Sequence, residues 1–399
     1  MNNKEKLLNE ALEKRNGVFR LTPTWVPREF CIPGRRLKLH PDDYYAFGIS
    51  RGGIDERWFA STIKADNGPL TLPDEGLSYI FIESGTKGSK ILLKDAIELM
   101  GSEIIGKKLM DKYNGWPMYA KFFDNLEPLP LHLHQNDEQA AEIGQKGKPE
   151  GYYFPRQLNN HPGYFPHTYF GLNPGTTKEQ VKECIKNWDK GDNQILMLSK
   201  AYKLEVGTGW YVPPGILHAP GSLLTYEPQG ASDVFAMFQN LTWNRYISKD
   251  LLLKNVPEKY KNNIDYIVNL IDWDSNLDPD FYANRFLKPK PIKPLDKMKE
   301  EGYEEYLIMY NSAHFSAKEL IIYPQNSITI KEKGAYGLIM LQGYGTFGVL
   351  NIETPQLICF GEMTHDELFV TFKAATNGIE IINNSKRENL VMLKHFGPE

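Results

Sequence analysis

The 399-residue chain is predicted to be mainly β, an antiparallel sandwich or barrel with helices set into its first part. Three observations carry this. Short segments alternate apolar and polar residues at period 2, 33 glycines and 26 prolines punctuate them, and strand patterns dominate everything after Lys288.

In chain order, "MNNKEKLLNEALEKRNG" alternates charge with leucine and predicts a short amphipathic helix, not a secretory leader. Strands are expected in "GLSYIFIESG", "PMYAKFFDNL", "PLPLHLHQ", "SKAYKLEVG", "GWYVPPG" and "DVFAMFQNLTW". Helices are expected in "LLKDAIELMGSEIIGKKLMDKY", in "TTKEQVKECIKNWDKG" with its capping threonines, and in "PEKYKNNIDYIVNLIDWD". "LKPKPIKPLDK" has three prolines among lysines and reads as a stiff connector between two domains, 1–287 and 288–399. Beyond it, "EYLIMYN", "KELIIYP", "AYGLIMLQGYGTFGVL", "LICFGE", "LFVTFKA" and "GIEIINNS" all read as strands.

Bulk properties exclude several classes. A net charge of -4 offers no basic field for phosphate backbones, so no nucleic-acid partner is expected. No apolar run approaches the ~20 residues that span a bilayer, so no membrane partner is expected either. Cys31, Cys184 and Cys359 lack CxxC spacing and read as free thiols of a cytoplasmic protein.

Nine histidines are spread over the chain, and two stand one residue apart in "PLPLHLHQNDE". Alternate strand residues share a face, so His132 and His134 point the same way and can chelate a divalent ion. Downstream, "GTGWYVPPGILHAPGS" places His218 just past a Pro-Pro-Gly turn that re-aims the chain. The pair of segments is more specific than either one.

Together they resemble the two motifs of the cupin jelly-roll superfamily. A narrower resemblance, from about Gly52 to Arg245, is to the class I mannose-6-phosphate isomerases. "ERWFASTIKADNGP", the run "WPMYAKFFDNLEPLPLHLHQNDE", "KGKPEGYYF", "TTKEQVKECI" and "GWYVPPGILHA" follow one another in that family's order. It implies tandem cupin jelly-roll barrels with inserted helices, 1–287 being the metal-binding one and 288–399 metal-free. Carried over, the metal ligands fall on His132, His134, Glu150 and His218, with Glu138 as the alternative acid at general cupin spacing. The family has glutamine at the place of His132, and a serine beside the sugar phosphate where this chain has Pro130.

Three imidazoles and one carboxylate suit Zn²⁺ and also Fe, Mn, Co or Ni. The resemblance implies an aldose–ketose isomerase for a sugar or sugar phosphate, working through an enediol. Lys121 is the candidate acid/base or hydroxyl anchor, on the expectation that desolvation beside a metal lowers its pKa. Arg245 is the candidate for holding enediol or phosphate oxygen, and Trp58, Ser61 and Tyr153 are candidates for binding substrate. His161 and His167 lie in an aromatic loop that could flank the entrance. A non-catalytic sugar-binding cupin and an iron-dependent oxygenase are the alternatives that the same metal set leaves open.

Overall fold

The structure is a computed structural model that describes residues 3–83, 89–159, 165–242 and 245–399. His161 lies outside the described residues. Among them, no helix is long and apolar enough to cross a membrane.

Two seven-stranded antiparallel sheets form the backbone of the molecule. In the first, Thr24–Arg28, Gly53–Phe59, Met118–Phe123, Thr225–Gly230, Glu150–Tyr153, Gly209–Val212 and Phe286–Leu287 lie side by side. A five-stranded sheet, with His132–Leu133 and His218–Ala219 as neighbours, is the other wall of this barrel. The second barrel pairs the sheet through Tyr303–Met309, Ser316–Ile322, Leu390–Phe396, Tyr336–Gln342 and Glu367–Val370 with the four-stranded sheet of Ser327–Ile330, Ile379–Asn383, Tyr344–Phe347 and Leu350–Glu353. Val18–Arg20, near the start of the chain, pairs with Glu367–Val370, so an early strand completes the late sheet.

The two large sheets pack back to back. Phe59, Phe122, Tyr153 and Tyr226 from the first share one buried cluster with Ala317, Ile339, Phe369, Val391 and Leu393 from the second. One ion pair crosses this layer: the Arg57 guanidinium donates to both Asp366 carboxylate oxygens at 2.8 Å and to Glu367 Oε2 at 3.2 Å. The Tyr226 hydroxyl meets His395 Nδ1 at 2.9 Å.

Several expected elements take a different form. The long helix breaks at Gly106, whose φ of +88° suits glycine, into Leu93–Ile104 and Lys107–Tyr113. "PEKYKNNIDYIVNLIDWD" folds as three short turns of helix, because Asn263 and Asp272 each cap a new start with a side-chain oxygen. "LICFGE" contributes a single bridge, Ile358 to Leu39, and "LFVTFKA" stops as a strand at Val370 and continues as the helix Phe372–Asn377. The proline-rich connector is paired at both ends: Phe286–Leu287 joins the first sheet and Lys290–Pro291 the second.

His395 gives the molecule an acid-sensitive point. Burial lowers its pKa from the ordinary 6.5 to about 3. Unfolding restores the ordinary value, so between about pH 3 and 6.5 the unfolded chain binds more protons. Stability therefore falls as the pH drops through that window, by up to about 1.4 kcal/mol per unit for this one group. Melting temperatures across pH 4.5–7 should fall less steeply in His395→Gln than in the parent; equal slopes would contradict the assignment.

Candidate metal centre

Leu131, His132, Leu133 and His134 alternate across the five-stranded sheet. The two leucines are fully buried and pack outward against Val181, Ile185, Trp188 and Ile267 of the helical layer. Each leucine contributes about 1.5–3 kcal/mol by leaving water, and a one-residue slip would expose both, so the register that turns the imidazoles inward is fixed. His218 arrives by a turn. Gly215 has a φ of +80°, and a Cβ there would come within 2.9 Å of the Asp272 side chain. The turn sets His218 directly opposite His132 across the ladder.

The three rings converge, with centroids 4.2 to 5.1 Å apart. Each Nδ1 donates to a backbone carbonyl: His132 to Pro130 at 2.7 Å, His134 to Val234 at 2.6 Å, His218 to Ile216 at 2.8 Å. A carbonyl can only accept, so Nδ1 carries the proton and each Nε2 presents a lone pair. Burial, with the neighbouring imidazoles, holds His132 well below the ordinary range, and burial takes His134 down to about 4, so both are neutral at pH 7.

Glu150 enters from the opposite sheet. Its Oε1 lies 2.8 Å from His134 Nε2 and 3.0 Å from Lys148 Nζ. Its Oε2 accepts from the Tyr152 hydroxyl at 2.7 Å and lies 3.4 Å from His218 Nε2. Burial by itself would raise the Glu150 pKa, but His134 and Lys148 reverse this and hold it well below the usual carboxylate range. Lone pairs of an ionised carboxylate and a neutral imidazole thus face each other at 2.8 Å. His134 Nε2 and His218 Nε2 are buried with no hydrogen-bond partner. A cation between them removes the repulsion, and the donor set fits a divalent metal. Among the described residues, His132, His134 and His218 are the group whose ligand atoms lie close enough together to hold such an ion.

Around this centre lies a buried charge network. Lys121 Nζ sits 3.0 Å from Glu56 Oε1 and 3.3 Å from Glu227 Oε1. Arg28 donates to Glu56 at 3.1 Å and to both Asp233 oxygens at 3.1 to 3.3 Å. Trp58 Nε1 donates to Glu56 Oε2 at 2.8 Å, and its ring packs on Tyr119. Burial raises the Glu227 pKa well above the ordinary value, and the charge on Glu150 adds to this.

Several expectations change here. For Lys121, burial does favour the neutral form, but Glu227 and Glu56 outweigh it and the pKa rises. The two carboxyl neighbours thus favour its charged form, against the expected lowering. Arg245 joins no part of the network: its Nη1 donates to the Glu29 and Cys31 carbonyls at 2.7 and 2.8 Å, beside an open groove. Tyr153 faces away from the metal centre into the layer between the barrels, while Tyr152, two residues from Glu150 on the same strand face, touches it. Glu138 is exposed on the helix Asp137–Ala141. Ser61 is buried, its hydroxyl bonded to the Ile63 backbone at 3.2–3.3 Å, and holds a turn. His167 is half-buried at the start of His167–Leu172, bonded to the Phe165 carbonyl.

Residues that sequence reasoning missed are Arg28, Glu56, Lys148, Glu227 and Asp233. For Glu227 a signal existed: in "TYEPQG" it shares an inward face with Gln229, opposite Lys121. Arg28 sits at a register shift between Val26 and Pro27, which breaks the alternation that would have flagged it.

No family model matches the chain, and no curated protein matches it in sequence. Solved structures do. Mannose 6-phosphate isomerase from Bacillus subtilis is 17% identical, with 95% of this chain and 99% of that one covered at a TM-score of 0.59. A single-residue mutant of phosphomannose isomerase from Salmonella typhimurium is 11% identical, with 96% and 100% covered at 0.62. The chain has a phosphomannose isomerase fold. Coverage of nearly the whole length of both chains means that the similarity takes in both large sheets and the inserted helices alike.

Proposed function

We propose that the protein is a metal-dependent aldose–ketose isomerase that interconverts sugars through an enediol. One observation carries this reading: three Nε2 lone pairs and an ionised carboxylate converge in a buried site that also holds a second carboxyl group. The ligands would be His132, His134, Glu150 and His218, and Zn²⁺ is the proposed ion, with Fe, Mn, Co or Ni accommodated by the same donors. When bound, the metal polarises the sugar's carbonyl and hydroxyl oxygens and favours the enediol.

The protein's own groups do the rest. Glu150 and Glu227 are two carboxyls whose surroundings push their pKa values apart, the arrangement that separates an ionised from a proton-carrying group. Glu227 is assigned the proton shuttle: its carboxyl would give its proton to O1, the carboxylate so formed would take the C2 proton to make the enediol and return it to C1, and the O2 proton would restore the carboxyl. Lys121 hydrogen-bonds to Glu56 and, 3.3 Å from Glu227 Oε1, orients both carboxyls, and Tyr152 fixes Glu150. Trp58 and Ser61 support the pocket wall. Deep burial excludes water, which strengthens each of these interactions.

The test is deuterium exchange at C2 of aldoses in D₂O, followed by NMR, with and without chelator. Exchange should depend on bound metal and return when metal is restored. In Glu227→Gln, kcat should fall about 10²–10⁴-fold with metal content and KM little changed. A variant with full activity would remove Glu227 from the proposed role.

A further inference from the structure

The buried cations around the candidate metal centre already have partners. Arg28 is shared between Glu56 and Asp233, Lys121 between Glu56 and Glu227, and Lys148 between Glu150, at 3.0 Å, and Asp233, at 3.9 Å. Four carboxyl side chains thus surround three cations, and all seven are buried. A phosphate dianion entering this space has to break one of these ion pairs or lie against carboxylates, and both cost a great deal away from water.

Glu227 Oε1 lies 3.3 Å from Lys121 Nζ, so the buried polar atoms on this strand face without a partner are Gln229 Oε1 and the Tyr119 hydroxyl. Gln229 Nε2 is spent on the Ser232 carbonyl, so its free atom is the oxygen. Glu227 and Gln229 share one face of their strand, and Tyr119 is the cross-strand partner of Gln229. Gln229 Oε1 asks for a donor, and the Tyr119 hydroxyl can give or take a hydrogen bond. A sugar hydroxyl donates; a phosphate dianion only accepts. At the metal strand, Pro130 has no hydroxyl or N–H to offer, its carbonyl is occupied by His132, and the Leu131 N–H is occupied by Gln239 Oε1 at 2.9 Å. Further out, Arg245 is tied through Nη1 to two backbone carbonyls and Lys254 to Asp66.

We infer that this pocket takes an uncharged polyhydroxy aldehyde or ketone, an unphosphorylated hexose or pentose, and discriminates against its phosphate ester. The inference rests on the isomerase reading above for the location of the pocket.

Calorimetric titration of the metal-loaded, full-length protein tests it. The probes are D-mannose, D-glucose, D-fructose, D-xylose and L-ribose, then the three hexose 6-phosphates and inorganic phosphate. At least one free sugar should bind ten times more tightly than any 6-phosphate, and phosphate at ten times the sugar concentration should not displace it. A 6-phosphate that binds as well as or better than the free sugars overturns the inference, and so does a panel in which no free sugar binds. C2 deuterium exchange in the same samples reports on the isomerase reading separately. A free sugar that binds without exchange keeps the ligand class and removes the reaction.

Discussion

Replacing His218 with alanine is expected to abolish stoichiometric metal retention and to lower C2 proton exchange by about 10³-fold or more. The size follows from what the imidazole does. It supplies one of three Nε2 lone pairs and lies 3.4 Å from Glu150, so its loss opens the donor set on the side where the two barrel walls meet. A metal's stabilisation of developing charge amounts to several kcal/mol, and each 1.36 kcal/mol is a factor of ten in rate. Metal content by emission spectrometry and exchange by NMR check the two effects independently. The parent should also gain thermal stability on metal addition, by about 4 kcal/mol at a thousandfold excess over Kd, and His218→Ala should not. Full occupancy and full exchange in the variant would mean that the converging lone pairs are not the reactive centre.

Arg57→Ala is expected to destabilise the protein by about 3–5 kcal/mol without touching the metal site. The guanidinium is a charged link between the two large sheets, and its removal leaves the Asp366 carboxylate buried without its ion-pair partner. Arg57 also packs on the Trp25 and Phe59 rings, so truncation costs contact area as well as charge. The double replacement Arg57→Met with Asp366→Leu removes both ends of the pair and should recover much of the loss. Chemical denaturation with metal content as a control distinguishes this from damage to the centre. If the single variant is no less stable than the parent, the inter-barrel pair contributes nothing measurable.

Much of the centre was legible because it obeys local rules. The pair His132 and His134 reads from period 2 with leucines at the alternate places, and His218 from a turn that proline and glycine dictate. Tyr152 obeys the same period relative to Glu150, which is why it and not Tyr153 faces inward. What resisted reading depends on neighbours far along the chain. The pKa of Lys121 turned upward because Glu56 and Glu227, from strands on either side, outweigh the burial that would otherwise lower it. Helix breaks at Gly106 and Asn263 follow from caps and a left-handed backbone, weak signals beside a strong apolar period.

The sequence by itself determined the β character, the inserted helices and the inward aim of three imidazoles, since alternation, capping and turn chemistry act between residues a few places apart. Only the tertiary structure decided which carboxylate lies beside them, how Val18–Arg20 pairs into a sheet of the second barrel, and which cations are already paired with carboxylates. Those outcomes are set by Coulomb interactions and burial between strands brought together across many residues, and the electrostatics of a low-dielectric interior depend on distances that no linear pattern encodes.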